Sequence, residues 1–254
     1  MLAVTAADLD AWLAGFFYPF VRIAALASSA PLFSHRSIPR PTRIGLAVLV
    51  TIVVAPTLPA VPFVSPFSAP GVLLLLQQIL IGVAIGFTLQ IVFAAVELAG
   101  ELIGLQMGLS FATFVDAEAD QAPIVGAFLA VAMLLVFLSL NGHLMLIAGL
   151  VDSFRSFPID GVRGLVAFDP HALVLVGRDL FTLGVTLALP VIAAMLLANL
   201  ALGVLTRTAP QLNLFAVGFP VTLATGLAML SLALPYLVPA MESAVNRGLS
   251  LVLR

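Results

Sequence analysis

Residues 71–96 carry no charged side chain. A helix rises about 1.5 Å per residue, so this stretch alone crosses the roughly 30 Å hydrocarbon core of a bilayer. Inside lipid each backbone N–H and C=O must find its partner within the structure, and long apolar runs then fold as helices. Six stretches meet the length test: 12–34, 43–61, 71–96, 122–150, 180–205 and 212–240. The expected fold is an all-α membrane protein of six apolar helical segments, the last two joined as an antiparallel hairpin through 206–211. Composition points the same way. Mean hydropathy is +1.23 and 9% of residues are charged, against about 25% in soluble domains.

The helical pattern that starts at 71 continues to 110 without a proline. It would span about 60 Å, twice the hydrocarbon thickness, so the helix either breaks near its glycines or runs well beyond the bilayer. Prolines at 19, 31, 123, 190, 220, 235 and 239 are expected to break or kink the other segments.

Arg36, Arg40 and Arg43 crowd SHRSIPRPTR, which places that loop in the cytoplasm and the acidic N-terminus outside. Alternation then puts 56–70 and 152–179 outside and the 111–121 loop and Arg207 inside. The start MLAVTAADLD lacks a basic n-region and reads as mature sequence, not a cleaved signal. All ten cations are arginine and the formal charge is −2, so no basic footprint suggests nucleic acid. The absence of cysteine excludes disulfides, a thiol nucleophile and thiolate metal sites. His35, His143 and His171 lack metal-ligand spacing, and no HExxH, GxSxG or phosphate-binding glycine loop occurs. No enzyme activity, metal or cofactor is expected.

Several residues interrupt the apolar pattern. Gly82 and Gly86, and Gly100, Gly104 and Gly108, recur four apart, a spacing that lets helix backbones approach closely. Glu97 and Glu101 share one face. They are either an intramembrane proton or cation site or simply solvated beyond the hydrocarbon. Arg22 lies inside the first apolar run, where it either snorkels or pairs with an acid such as Glu97 or Glu101. In LSFATFVD (109–116), Phe111 and Phe114 follow Met107 and three glycines. They are either core aromatics or an apolar constriction on a movable segment that blocks ions by dewetting.

The stretch GELIGLQMGLSFATFVD (100–116) resembles the signature of the FliR family, export-gate subunits of the flagellar type III secretion system. The resemblance extends through APLFSHRSIPRPTRIGLAV (30–48), QQILIGVAIGFTLQ (77–90), NGHLMLI (141–147), ALPVI (188–192) and NLALGVLTRTAPQLNLFAVGFPVTL (199–223). It implies a non-enzymatic subunit, one copy of which joins several FliP and FliQ chains around a secretion channel in the bacterial inner membrane and flagellar basal body. Part of that assembly is raised above the membrane plane. It also implies a FliP-like part, 1–175, followed by a FliQ-like helical hairpin and tail, 176–254. The family's channel plug maps onto 106–116, with Gln106, Met107, Gly108, Phe111, Phe114 and Asp116 as its principal residues. The turn holding Arg207, Pro210 and Gln211 is the expected FlhB contact. Exported flagellar proteins and membrane lipid complete the partners. The chain departs from the family pattern in having Ala117 where proline is common, a short acidic exit DAEADQAP (116–123), and Glu97. Two other readings of the same residues are a virulence-type secretion gate (the SctT branch) and an independent ion-coupled transporter using Glu97, Glu101 and Arg22.

Overall fold

The computed structural model describes residues 6–34, 38–58, 64–109, 123–160, 170–208 and 214–252. All regular elements among them are helical: α1 (Ala6–Ser29), the single turn α2 (Pro31–Ser34), α3 (Arg40–Val54) with a 3-10 turn at Ala55–Thr57, and α4 (Ala69–Gln106). They continue with α5 (Ile124–Ser139), α6 (Gly142–Ser156), α7 (Pro170–Thr208) and α8 (Leu214–Val252). Among the described residues five helices are long and apolar enough to cross a membrane, and six if the bent pair α5–α6 is one span.

The sequence left two outcomes open for the long helix, and the second holds. α4 runs unbroken for 38 residues, about 57 Å at the standard rise. The run 122–150, expected as one segment, is instead two helices meeting at 67°. The reason is local. α5 ends at Ser139 with Leu140 as its C-cap, and Asn141 takes the left-handed conformation (φ 55°). Asn tolerates that region better than most side chains, and Gly142 follows it into α6.

Most of the expected proline breaks do not occur. Pro19, Pro190, Pro220, Pro235 and Pro239 all lie inside continuous helices. In a membrane protein, neighbouring helices and local adjustment re-satisfy the carbonyl that proline leaves unpaired. The other two of those seven prolines, Pro31 and Pro123, stand at helix starts, where the missing N–H costs nothing.

The described chain divides into two compact units. The first comprises 1–91, 141–176 and 246–254, the second 92–140 and 177–245. Helix α4 contributes to both. In the first unit, α3 buries Ala47, Thr51 and Val54, one stripe at helical spacing, and exposes Ile44, Leu49, Ile52 and Val53. α6 buries Gly142, Leu146, Gly149, Leu150, Ser153 and Phe154 on one face. In the second unit, α5 buries Val125, Gly126, Leu129, Met133, Val136 and Phe137. Phe137 meets Phe93 edge-on at 5.7 Å between centroids, the orientation aromatic quadrupoles favour. Exposed apolar side chains on spanning helices face lipid or another protein, because water is absent at that depth.

Candidate functional site

The glycines decide how closely the helices approach. In the first unit, a Cβ added at Gly82 would collide with the Arg22 carbonyl and lie 2.8 Å from the Ala25 Cβ. One at Gly86 would collide with Ser29 Oγ. α4 therefore rests directly on the backbone of α1. In the second unit, a Cβ at Gly100 would lie 2.5 Å from Gly126 Cα and 2.7 Å from Gly126 N. α4 and α5 cross here backbone to backbone. Gly104 is looser, with Val125 Cγ2 at 3.7 Å. Sequence spacing singled out these α4 glycines but not their partner Gly126. It also missed Gly184, against Ala95 O (2.9 Å), and Gly226, against Met107 Sδ (2.9 Å). Each of the three stands alone, without the four-residue repeat that would have drawn notice.

The end of α4 is a built cap. Leu109 N donates to Gly104 O and Gly108 N to Leu105 O, both at 3.1 Å. These are the paired bonds of a Schellman motif, with Gly108 at the left-handed position (φ 77°). Gly108 was grouped by spacing with the packing glycines, but what it does locally is terminate the helix. Met107 is fully buried against Gly226. Gln106 and Gly108 open instead onto a cleft of about 660 Å³. Leu105 of α4, Asn199, Leu202, Gly203 and Thr206 of α7, and Gly218, Phe219 and Thr222 of α8 complete its lining. Gly108→Ala is expected to cost about 1–2 kcal/mol, the penalty for a Cβ in the left-handed region, whereas Gly108→Asn should retain much of the cap. The thermal unfolding midpoint of detergent-solubilised protein measures the difference.

The remaining expected site residues are placed as follows. Arg207 is exposed in the last turn of α7. Glu97 and Glu101 are exposed on the second unit's stretch of α4. Phe111, Phe114, Asp116, Pro210 and Gln211 lie outside the described residues, as does His35. His143 is half-buried in the first turn of α6. Among the described residues no group of three or more His, Cys, Asp or Glu side chains is arranged to hold a metal ion.

Arg22 does not snorkel, and among the described residues it pairs with no carboxylate. It is wholly buried. Its Nε donates to Gln78 Oε1 (2.7 Å), Nη1 to Ser153 O (2.9 Å) and Ser153 Oγ (3.1 Å), and Nη2 to Phe157 O (2.7 Å). The guanidinium carbon lies 4.1 Å from the centroid of the Phe154 ring. A charge relay from Arg22 to Glu97 or Glu101 therefore has no support in this geometry.

The description "Bacterial export proteins, family 1" matches residues 13–248. The chain belongs to that family. It is 47% identical to the flagellar biosynthetic protein FliR of Escherichia coli K12, covering 95% of this chain and 92% of that one. Identity to the protein of the same name is 33% in Bacillus subtilis (85% and 84% covered). In Caulobacter vibrioides it is 31% (85% and 86%). The family match spans both compact units, so the α4 cap, the glycine crossings and the Arg22 cluster all fall within it.

Proposed function

We propose that this chain is a membrane-embedded subunit of the flagellar type III protein export gate in the bacterial inner membrane. One observation carries the reading: near-full-length similarity to flagellar biosynthetic proteins, in a chain built of spanning helices. A single copy joins FliP and FliQ around the channel, and FlhB meets it at the turn holding Arg207, Pro210 and Gln211. Residues 1–175 act as the FliP-like part and 176–254 as the FliQ-like hairpin with its tail. Residues 106–116 plug the closed channel, with Phe111, Phe114 and the segment from Gln106 to Gly108 as its seal and anchor.

Three features support this assignment of the plug. The cap at Gly108 ends α4 sharply within the first residues of the plug segment. Burial of Met107 against Gly226 anchors the stem of that segment. Gln106 and Gly108 line a cleft, so the stem borders open space. The protein supplies a passage and a seal, and the energy for export comes from elsewhere in the machine.

The partner requirement is tested by expression. Produced without FliP and FliQ, the chain is expected to accumulate poorly, because Phe181, Leu197, Leu200 and Val204 leave a broad apolar face of α7 uncovered. Co-expression should raise its level several-fold and bring all three chains through one affinity step. Equal accumulation alone, with no co-purification, would contradict the shared assembly.

A further inference from the structure

Burying a guanidinium without a counter-ion is costly unless other groups replace its hydration. Among the described residues Arg22 has no carboxylate partner; each oxygen it donates to is uncharged. Two of those oxygens are main-chain carbonyls at one place, Ser153 in the last turn of α6 and Phe157 immediately after it. A helix leaves its last carbonyls unpaired and carries partial negative charge at that end, which favours a cation; Phe157 O is the carbonyl of the C-cap residue, while Ser153 O already accepts the Phe157 N–H (2.8 Å) and takes Arg22 as a second donor. Phe154, in the same turn, offers its ring face. The C-terminal end of α6 thus supplies acceptors, dipole and ring to one cation from another helix. Gln77 Nε2 reaches Pro158 O at 3.5 Å, so α4 approaches the same exit segment.

From this geometry we infer that Arg22 is the C-terminal cap of α6 supplied by α1, and that it fixes where the second half of the broken span ends. This goes beyond the export-gate reading and does not depend on it. Gln78 has a lesser part. It orients the guanidinium through Nε, while its own Nε2 is buried without a partner. Gly82 admits the arrangement, because it lets α4 lie on the Arg22 carbonyl. Lysine cannot substitute: an ammonium is a compact point charge, whereas the guanidinium fork spans Gln78, Ser153 and Phe157 at once.

The chain contains no cysteine, so single cysteines report cleanly. Ile159 is 7% exposed, just past the capped turn. Ile159→Cys is labelled with a water-soluble maleimide in opened membranes from cells carrying the complete export apparatus. The signal is normalised to labelling after denaturation in SDS. With native Arg22, labelling should be slow. Arg22→Met should raise it by about tenfold or more, since charge-assisted bonds to the end of α6 are lost and that end opens. Arg22→Lys should raise it several-fold, and Gln78→Leu should leave it within twofold. Unchanged labelling in both Arg22 variants would overturn the inference. So would an equal rise in Gln78→Leu, which would make the contact a tie between α1 and α4. Where Arg22→Met does not accumulate, Arg22→Lys decides alone: a rise supports the cap and unchanged labelling overturns it.

Discussion

Gly100→Val is expected to remove the protein from the membrane fraction and abolish swimming. A Cβ at Gly100 would stand 2.5 Å from Gly126 Cα and 2.8 Å from Val125 C. These are backbone atoms, and no side-chain rotation relieves them. Overpacking of a tight interior costs about 1–3 kcal/mol where side chains can shift, and more where a helix must move. Separating α4 from α5 would also strip contacts from the rest of their interface, where dispersion between close backbones is the main attraction in lipid. The neighbouring glycines calibrate the effect. Gly104→Ala places its methyl at ordinary contact distance from Val125, and Gly203→Ala meets nothing within 4 Å among the described residues. Both should accumulate normally, as read by immunoblot of membranes. Loss of Gly203→Ala despite that free space would mean a partner packs on this face of α7.

The second large effect concerns the proposed seal. Exchanging Phe111 and Phe114 together for serine is expected to leave the gate assembled but leaky to ions. An apolar constriction blocks conduction because water does not wet it, and hydroxyls of smaller volume both widen the passage and restore wetting. The readout is slowed growth and a depolarised membrane on induction, beside co-purification of the partners at wild-type level. A tight membrane around a normally assembled variant would remove the two phenylalanines from the seal. The cap variant Gly108→Ala should leak less, because it perturbs the stem and leaves both rings present.

Much of this architecture is legible in the sequence because hydropathy and length are local properties. The charge-free run 71–96 demanded a span, and the absence of proline up to 110 allowed either a break at the glycines or the unbroken helix that α4 forms to Gln106. Proline was a misleading signal for where helices break. Its cost is usually reckoned for soluble helices, whereas here Pro190, Pro220, Pro235 and Pro239 are absorbed into continuous helices. The true break carried a fainter mark, Asn141-Gly142, a pair suited to a left-handed turn. Gly108 offered a readable signal, a glycine just past a helical pattern. Its place in a four-residue series hid it.

The Arg22 cluster was not legible at all. Spacing speaks for neighbours on one helix, and Arg22 meets groups on α4 and on α6 whose approach only the fold decides. The sequence suggested an acid because acids are the usual partners of a buried cation. The C-terminal end of a helix provides the same compensation without a charge, and the 67° bend within the 122–150 run sets the direction in which α6 carries that end. The site residues split along the same line: the stem 106–108 is explained by its cap, while the plug proper rests on resemblance.

The most direct test of the central claim is secretion of hook and filament proteins into the medium after clean deletion of the gene, with the wild-type chain restored from a plasmid. An export-gate subunit predicts that both proteins disappear from the medium and return on complementation, while their cytoplasmic synthesis can still be detected. Undiminished secretion of hook and filament proteins from the deletion strain would contradict the assignment.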